Sequence, residues 1–146
     1  MGYFLFYWQS FRHKCWVGWF LTKFALVFLW RAIVHDLSKY KKDERSGFIK
    51  SAVVLRNYEY GSKEYFESLK ANKTCIELHF KRNSHHPEHY GDYTGMDLYD
   101  LVEMYCDWYG ASKRTKNGSM RQSLDVSTKK FKMSKDIVKI FNNTYQ

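Results

Sequence analysis

The sequence predicts an all-α protein with a single folded domain spanning residues 1–146. Three observations carry that expectation. The length falls within the roughly 100–200 residues of one domain. One Pro and eight Gly leave too little punctuation for the many turns of a β-sandwich. Apolar residues make up 45% of the chain, with 28 Phe, Trp and Tyr among them, and they recur at three- and four-residue spacing. That is enough bulky side chain for a core, and it excludes disorder for most of the chain.

Five to six helices follow in order. From about Tyr7 to Val34 the chain is apolar nearly all round, as a doubly covered helical region should be. A second helix runs from near Asp43 to Tyr58 and breaks at Tyr60-Gly61-Ser62. Ser62 and Glu64 then open a third, with Tyr65, Phe66, Leu69, Ile76 and His79 at helical spacing and Asn83-Ser84 at its end. The Pro, Gly and Asp between Ser84 and Met96 mark a loop. Asp97 caps a fourth helix, whose Leu98, Leu101, Val102, Tyr105, Trp108 and Tyr109 share a face that ends near Gly110. Residues 112–133 are basic and poor in apolar spacing, which predicts a loop. Ser134 caps a last helix carrying Ile137, Val138, Ile140 and Phe141.

The formal charge of +9 favours phosphate-bearing partners. It is unevenly spread. Six carboxylates and no Lys or Arg lie between His85 and Asp107, whereas eight basic residues and one acid lie between Ser112 and Lys135. Three widely spaced cysteines, Cys15, Cys75 and Cys106, indicate neither a disulfide framework nor a zinc ribbon and fit a reducing cytoplasm. Residues 1–11 are an apolar start, but Arg12, His13 and Lys14 interrupt it. No uncharged run then reaches the ~18 residues of a bilayer span, and the basic flank of a signal peptide is missing. Neither a membrane nor a nucleic acid is the expected partner.

Chemistry concentrates in the histidines. At His35-Asp36 an imidazole and a carboxylate stand side by side at a helix end, able to ligate one divalent ion from two directions. Lys39 follows within one turn, where an ammonium could hold a phosphate oxygen that the ion polarises. His85-His86 sits in a loop that can present both rings to a cavity, and His79 lies one helix earlier.

His13, then His35-Asp36 with Lys39, and finally Asp107 resemble the motif of the HD superfamily of metal-dependent phosphohydrolases. His79 and His85-His86 resemble the extra ligands of its binuclear branch. A closer resemblance is to a group of small phage and bacterial HD-like proteins. It rests on His13-Lys14, His35-Asp36-Leu37-Ser38-Lys39, Glu44, Arg82-Asn83-Ser84-His85-His86 and Glu103-Met104-Tyr105-Cys106-Asp107-Trp108. The resemblance implies a compact all-α domain around one or two divalent ions (Mn, Fe, Mg or Zn). Their ligands would be His13, His35, Asp36, His79, His85, His86 and Asp107. Asp36 and Lys39 would act in catalysis, while Lys39, Arg82 and Asn83 would bind substrate. It also implies a phosphohydrolase or phosphodiesterase acting on a nucleotide or cyclic nucleotide. A di-iron oxygenase and a non-catalytic metal-containing nucleotide-binding protein are the alternatives.

One geometric condition attaches to that ligand set. In an unbroken helix, His13 and His35 would stand about 33 Å apart, from 22 residues at roughly 1.5 Å each. The chain is therefore expected to fold back at Gly18 or near Thr22, which could cap a new helix.

Overall fold

The structure, a computed structural model, describes residues 1–59, 62–114 and 118–144, residue 55 by its backbone alone. The expected break at Tyr60-Gly61 and residues 115–117 of the expected basic loop lie outside the described residues. Helices follow one another from α1 (Gly2–Val34) through α2 (Lys42–Asn57), α3 (Lys63–Ala71), α4 (Lys73–Arg82) and α5 (Pro87–Tyr90) to α6 (Leu98–Ser112), α7 (Met120–Lys130) and α8 (Lys135–Thr144). Tight 3-10 turns occupy Leu37–Tyr40 and Tyr93–Gly95, and no strand occurs among the described residues. The protein is all-α, as its composition predicts.

The chain divides into two compact units, Met1–His35 and Asp36–Gln146, where the sequence led us to expect one. The first is α1 alone, 33 residues of unbroken helix with no buried residue. The expected fold-back does not occur. Thr22, offered as a cap for a new helix, instead donates its hydroxyl to the Gly18 carbonyl at 2.8 Å inside the same helix.

In the second unit, α2 packs on α3 and α4, while α6, α7 and α8 pack in succession. Two further differences from the expected pattern have local causes. Asn72 splits the third expected helix in two, because its side-chain amide donates to Ser51 Oγ and to the Ser68 carbonyl, each at 3.0 Å. The expected loop at 112–133 contains α7, which buries Met120, Ser123, Leu124 and Thr128. These four follow helical spacing, but two are hydroxyl residues, so an apolar pattern misses the stripe. The core is Met96, Met104, Met120, Leu124, Met133 and Phe141, flanked by Tyr105, Trp108 and Phe131. It sits at the α6–α8 end, and a polar cluster lies where α2, α4, α5 and α6 of the same unit meet.

Two backbone features aim that cluster. Gly47 lets α2 approach α4 closely, since a Cβ there would lie 2.6 Å from Cys75 Sγ. The Cys75 thiol donates to the Glu44 carbonyl at 3.0 Å, which sets Glu44 beside His79, one turn beyond Cys75. At the N-terminal edge of α6, Asp97 and Asp100 form a capping box. Buried Asp100 also accepts from Ser84 Oγ at 2.6 Å and from the Tyr90 hydroxyl at 2.8 Å. Those two bonds pin the segment that carries His85 and His86.

Candidate metal centre

Asp36, His79, His85 and His86 each offer one ligand atom, and the four atoms lie within 4.8 Å of one another. They come from three places: the residue before the first 3-10 turn, the last turn of α4, and the loop into α5. Asp36 holds a left-handed backbone at φ 58°, a conformation that Asp tolerates better than most residues. Pro87 at the first position of α5 fixes the chain just after His86.

The distances suit a cation. His79 Nε2 is 3.0 Å from His86 Nε2 and 3.2 Å from Asp36 Oδ1, and His85 Nε2 is 3.4 Å from the same oxygen. Ligand bonds of about 2.1 Å put neighbouring donors about 3.0 Å apart in an octahedron and about 3.4 Å apart in a tetrahedron. Imidazoles with a carboxylate are the donor set of zinc, manganese and iron. The residues present therefore fit a divalent ion.

The far sides of the rings are held too. His79 Nδ1 lies 3.0 Å from Glu44 Oε2, and His85 Nδ1 lies 3.1 Å from Glu103 Oε1. Each carboxylate is placed to accept the Nδ1–H, and in the neutral ring that tautomer leaves Nε2 with its lone pair facing the common point, the usual support of a metal-bound histidine. Glu44 is fully buried and is satisfied on both oxygens. Ser38 Oγ donates to Oε2 at 2.8 Å, and Arg82 Nη1 donates to Oε1 at 2.7 Å.

Protonation follows from these contacts. Burial raises the pKa of Glu44, but hydrogen bonds from Arg82, Ser38 and His79 outweigh it and hold the carboxyl below its ordinary range. Burial pulls His85 toward the neutral form, yet its bonds to Asp36 and Glu103 and the charges of Glu103 and Asp107 carry it above the usual histidine value. His86 is pushed down to about 3, by burial first and then by the charge on His85. It therefore keeps a lone pair available at neutral pH.

The expected site residues divide accordingly. His79, His85, His86 and Asp36 are together, and an Asp107 carboxylate oxygen lies within 4.8 Å of one from Asp36. His35 is the last residue of the first unit, covalently next to Asp36. His13 is a correction: it is exposed on α1, and with no bend between them it and His35 cannot hold one ion. Arg82, expected to grip a phosphate, instead clamps Asp43 through both terminal nitrogens, at 2.9 and 2.6 Å, as well as Glu44. Asn83, expected at the substrate, turns its amide to Ser38 Oγ at 2.8 Å and to the His79 carbonyl at 2.7 Å. Lys39 binds the second oxygen of Asp36 and lies over the Phe48 ring. Sequence reasoning missed the roles of Ser38 and Glu103. Glu103 lies four residues before Asp107 on the same helix face, a spacing that could have revealed it.

A family model described as a family of unknown function (DUF5662) matches residues 6–146. No curated protein and no solved structure matches the chain.

Proposed function

For this chain, which belongs to the DUF5662 family, we propose a metal-dependent phosphoric-ester hydrolase acting on a nucleotide or cyclic nucleotide. One observation carries the reading: three imidazoles and a carboxylate aim their donor atoms at one point, and two of the rings are backed by carboxylates of their own. Structural histidines need no such convergence of lone pairs. The phosphate-bearing substrate is supported by the net charge of +9 and by the resemblance of the His35-Asp36-Leu37-Ser38-Lys39 run to HD phosphohydrolases.

His79, His85, His86 and Asp36 would hold the ion, with Asp107 as a further carboxylate beside Asp36. A bound divalent ion supplies Lewis acidity toward a phosphoryl oxygen and a water of lowered pKa. Glu44 and Glu103 keep the His79 and His85 rings fixed while charge develops. The Lys39 ammonium, already seated on Asp36, offsets negative charge on the phosphoryl oxygens. Arg82 acts indirectly, by holding Glu44.

Elemental analysis of the purified full chain, followed by a nucleotide and cyclic-nucleotide panel with Mn²⁺, tests the reading. Asp36→Asn is expected to lose bound metal and hydrolysis together. Hydrolysis that persists in a variant stripped of metal overturns it.

A further inference from the structure

Independently of the metal centre, we infer that α1 crosses a lipid bilayer. Of its 33 residues none is buried, although it carries Trp8, Trp16, Trp19 and Trp30 and a dense set of Phe, Leu and Val. Leu26, Leu29 and Ile33 are 60%, 62% and 69% exposed. A helix that is apolar on all sides belongs in a large core or in a membrane, and no residue of α1 is buried. A protein partner would cover one stripe, roughly 100° wide, and leave the other apolar sides in water. A bilayer covers them all.

The length agrees. α1 is long and apolar enough to cross a membrane. Residues 15–34 rise about 30 Å, the thickness of the hydrocarbon layer. Arg12 and Lys14 stand before that segment, Arg31 lies in its last turn, and Lys41 and Lys42 follow it in the sequence, a distribution that suits anionic headgroups on both sides of an apolar span. Trp16 and Trp19 lie near one boundary and Trp30 near the other, as amphipathic rings do. Besides Arg31 in the last turn, the charged side chain within the span is Lys23, whose ammonium reaches back over the Trp19 ring, 5.3 Å from its centroid. That direction leads toward the nearer boundary, so Lys23 can snorkel. Lys23 and Arg31 together are also why a search for an uncharged run excludes the segment.

The test uses the full chain expressed with its N-terminus intact and mixed vesicles of phosphatidylcholine and phosphatidylglycerol. Wild type is expected to float with the vesicles in a sucrose gradient, to stay there after alkaline carbonate, and to retain residues 1–35 by mass. Leu26→Asp with Leu29→Asp should cut the floated fraction at least about a hundredfold, since acids at a helix centre oppose insertion strongly. Leu98→Asp, the same change at an exposed position of the second unit, should leave it unaltered. Release by carbonate, loss of α1 by cleavage, sedimentation of wild type away from lipid, or equal flotation of the double variant each overturns the inference.

Discussion

Replacing Glu44 by Gln probes the centre without touching a residue that would contact the ion. The carboxylate serves two sides at once: Oε1 accepts from Arg82 at 2.7 Å, while Oε2 accepts from Ser38 at 2.8 Å and faces His79 Nδ1 at 3.0 Å. An amide has one oxygen. If it faces His79, its NH2 opposes the Arg82 donor, and if it is flipped, the NH2 opposes Ser38 and the His79 N–H. Either arrangement loosens the His79 ring or inverts its tautomer. Losing such support typically costs 10- to 100-fold in metal affinity, or about 1.4–2.7 kcal/mol. Titration calorimetry of Mn²⁺ and Zn²⁺ into the metal-free chain reads this directly, with circular dichroism establishing that the variant keeps its helices. A folded Gln variant that binds both ions as tightly as wild type would show that Glu44 does not orient His79, and the centre would lose one of its two supports.

Other changes separate the parts of the structure. Asp100→Ala removes the acceptor of Ser84 and Tyr90 and one half of the capping box. About 1–3 kcal/mol of stability should go, together with a measurable loss of metal affinity, because the His85-His86 segment loses its anchor; thermal melts and the same titrations check both. His13→Ala should leave metal binding unchanged within error, since α1 runs straight through that position, and a tenfold weakening would show that the helix bends after all. Gly47→Val inserts a branched side chain where even a Cβ meets Cys75 Sγ at 2.6 Å. It should cost about 1–3 kcal/mol and lower metal affinity through the displaced α2–α4 contact, as denaturant unfolding and calorimetry would report.

Most of the second unit's helices were legible from periodicity and caps. Ser62, Asp97 and Ser134 each accept from a backbone N–H in the first turn of the helix they precede. What escaped were elements built by polar side chains. The stripe of α7 includes Ser123 and Thr128, and Asn72 splits a helix with its amide. The centre was legible for a different reason. Ligand chemistry restricts residue type, so the His79, His85-His86 and His35-Asp36 positions announce themselves. The partners behind them do not, because Arg82 and Asn83 look like ligand-binding groups until their hydrogen bonds are traced to Asp43, Glu44 and Ser38. The apolarity of α1 was equally visible, but its meaning depends on burial, which sequence does not report.

The carboxylate behind His79, Glu44, is held in turn by Arg82 and Ser38, and the one behind His85, Glu103, comes from a helix whose start is fixed by a capping box. The rings are thus set by the fold itself, in contrast to small zinc domains that have no structure until loaded. Loading such a preorganised cage should alter neither helicity nor heat capacity much. Under the proposed function, ions would then exchange on an intact chain, and the occupant would be selected by local supply and by taste for nitrogen over oxygen donors, with folding indifferent to the choice.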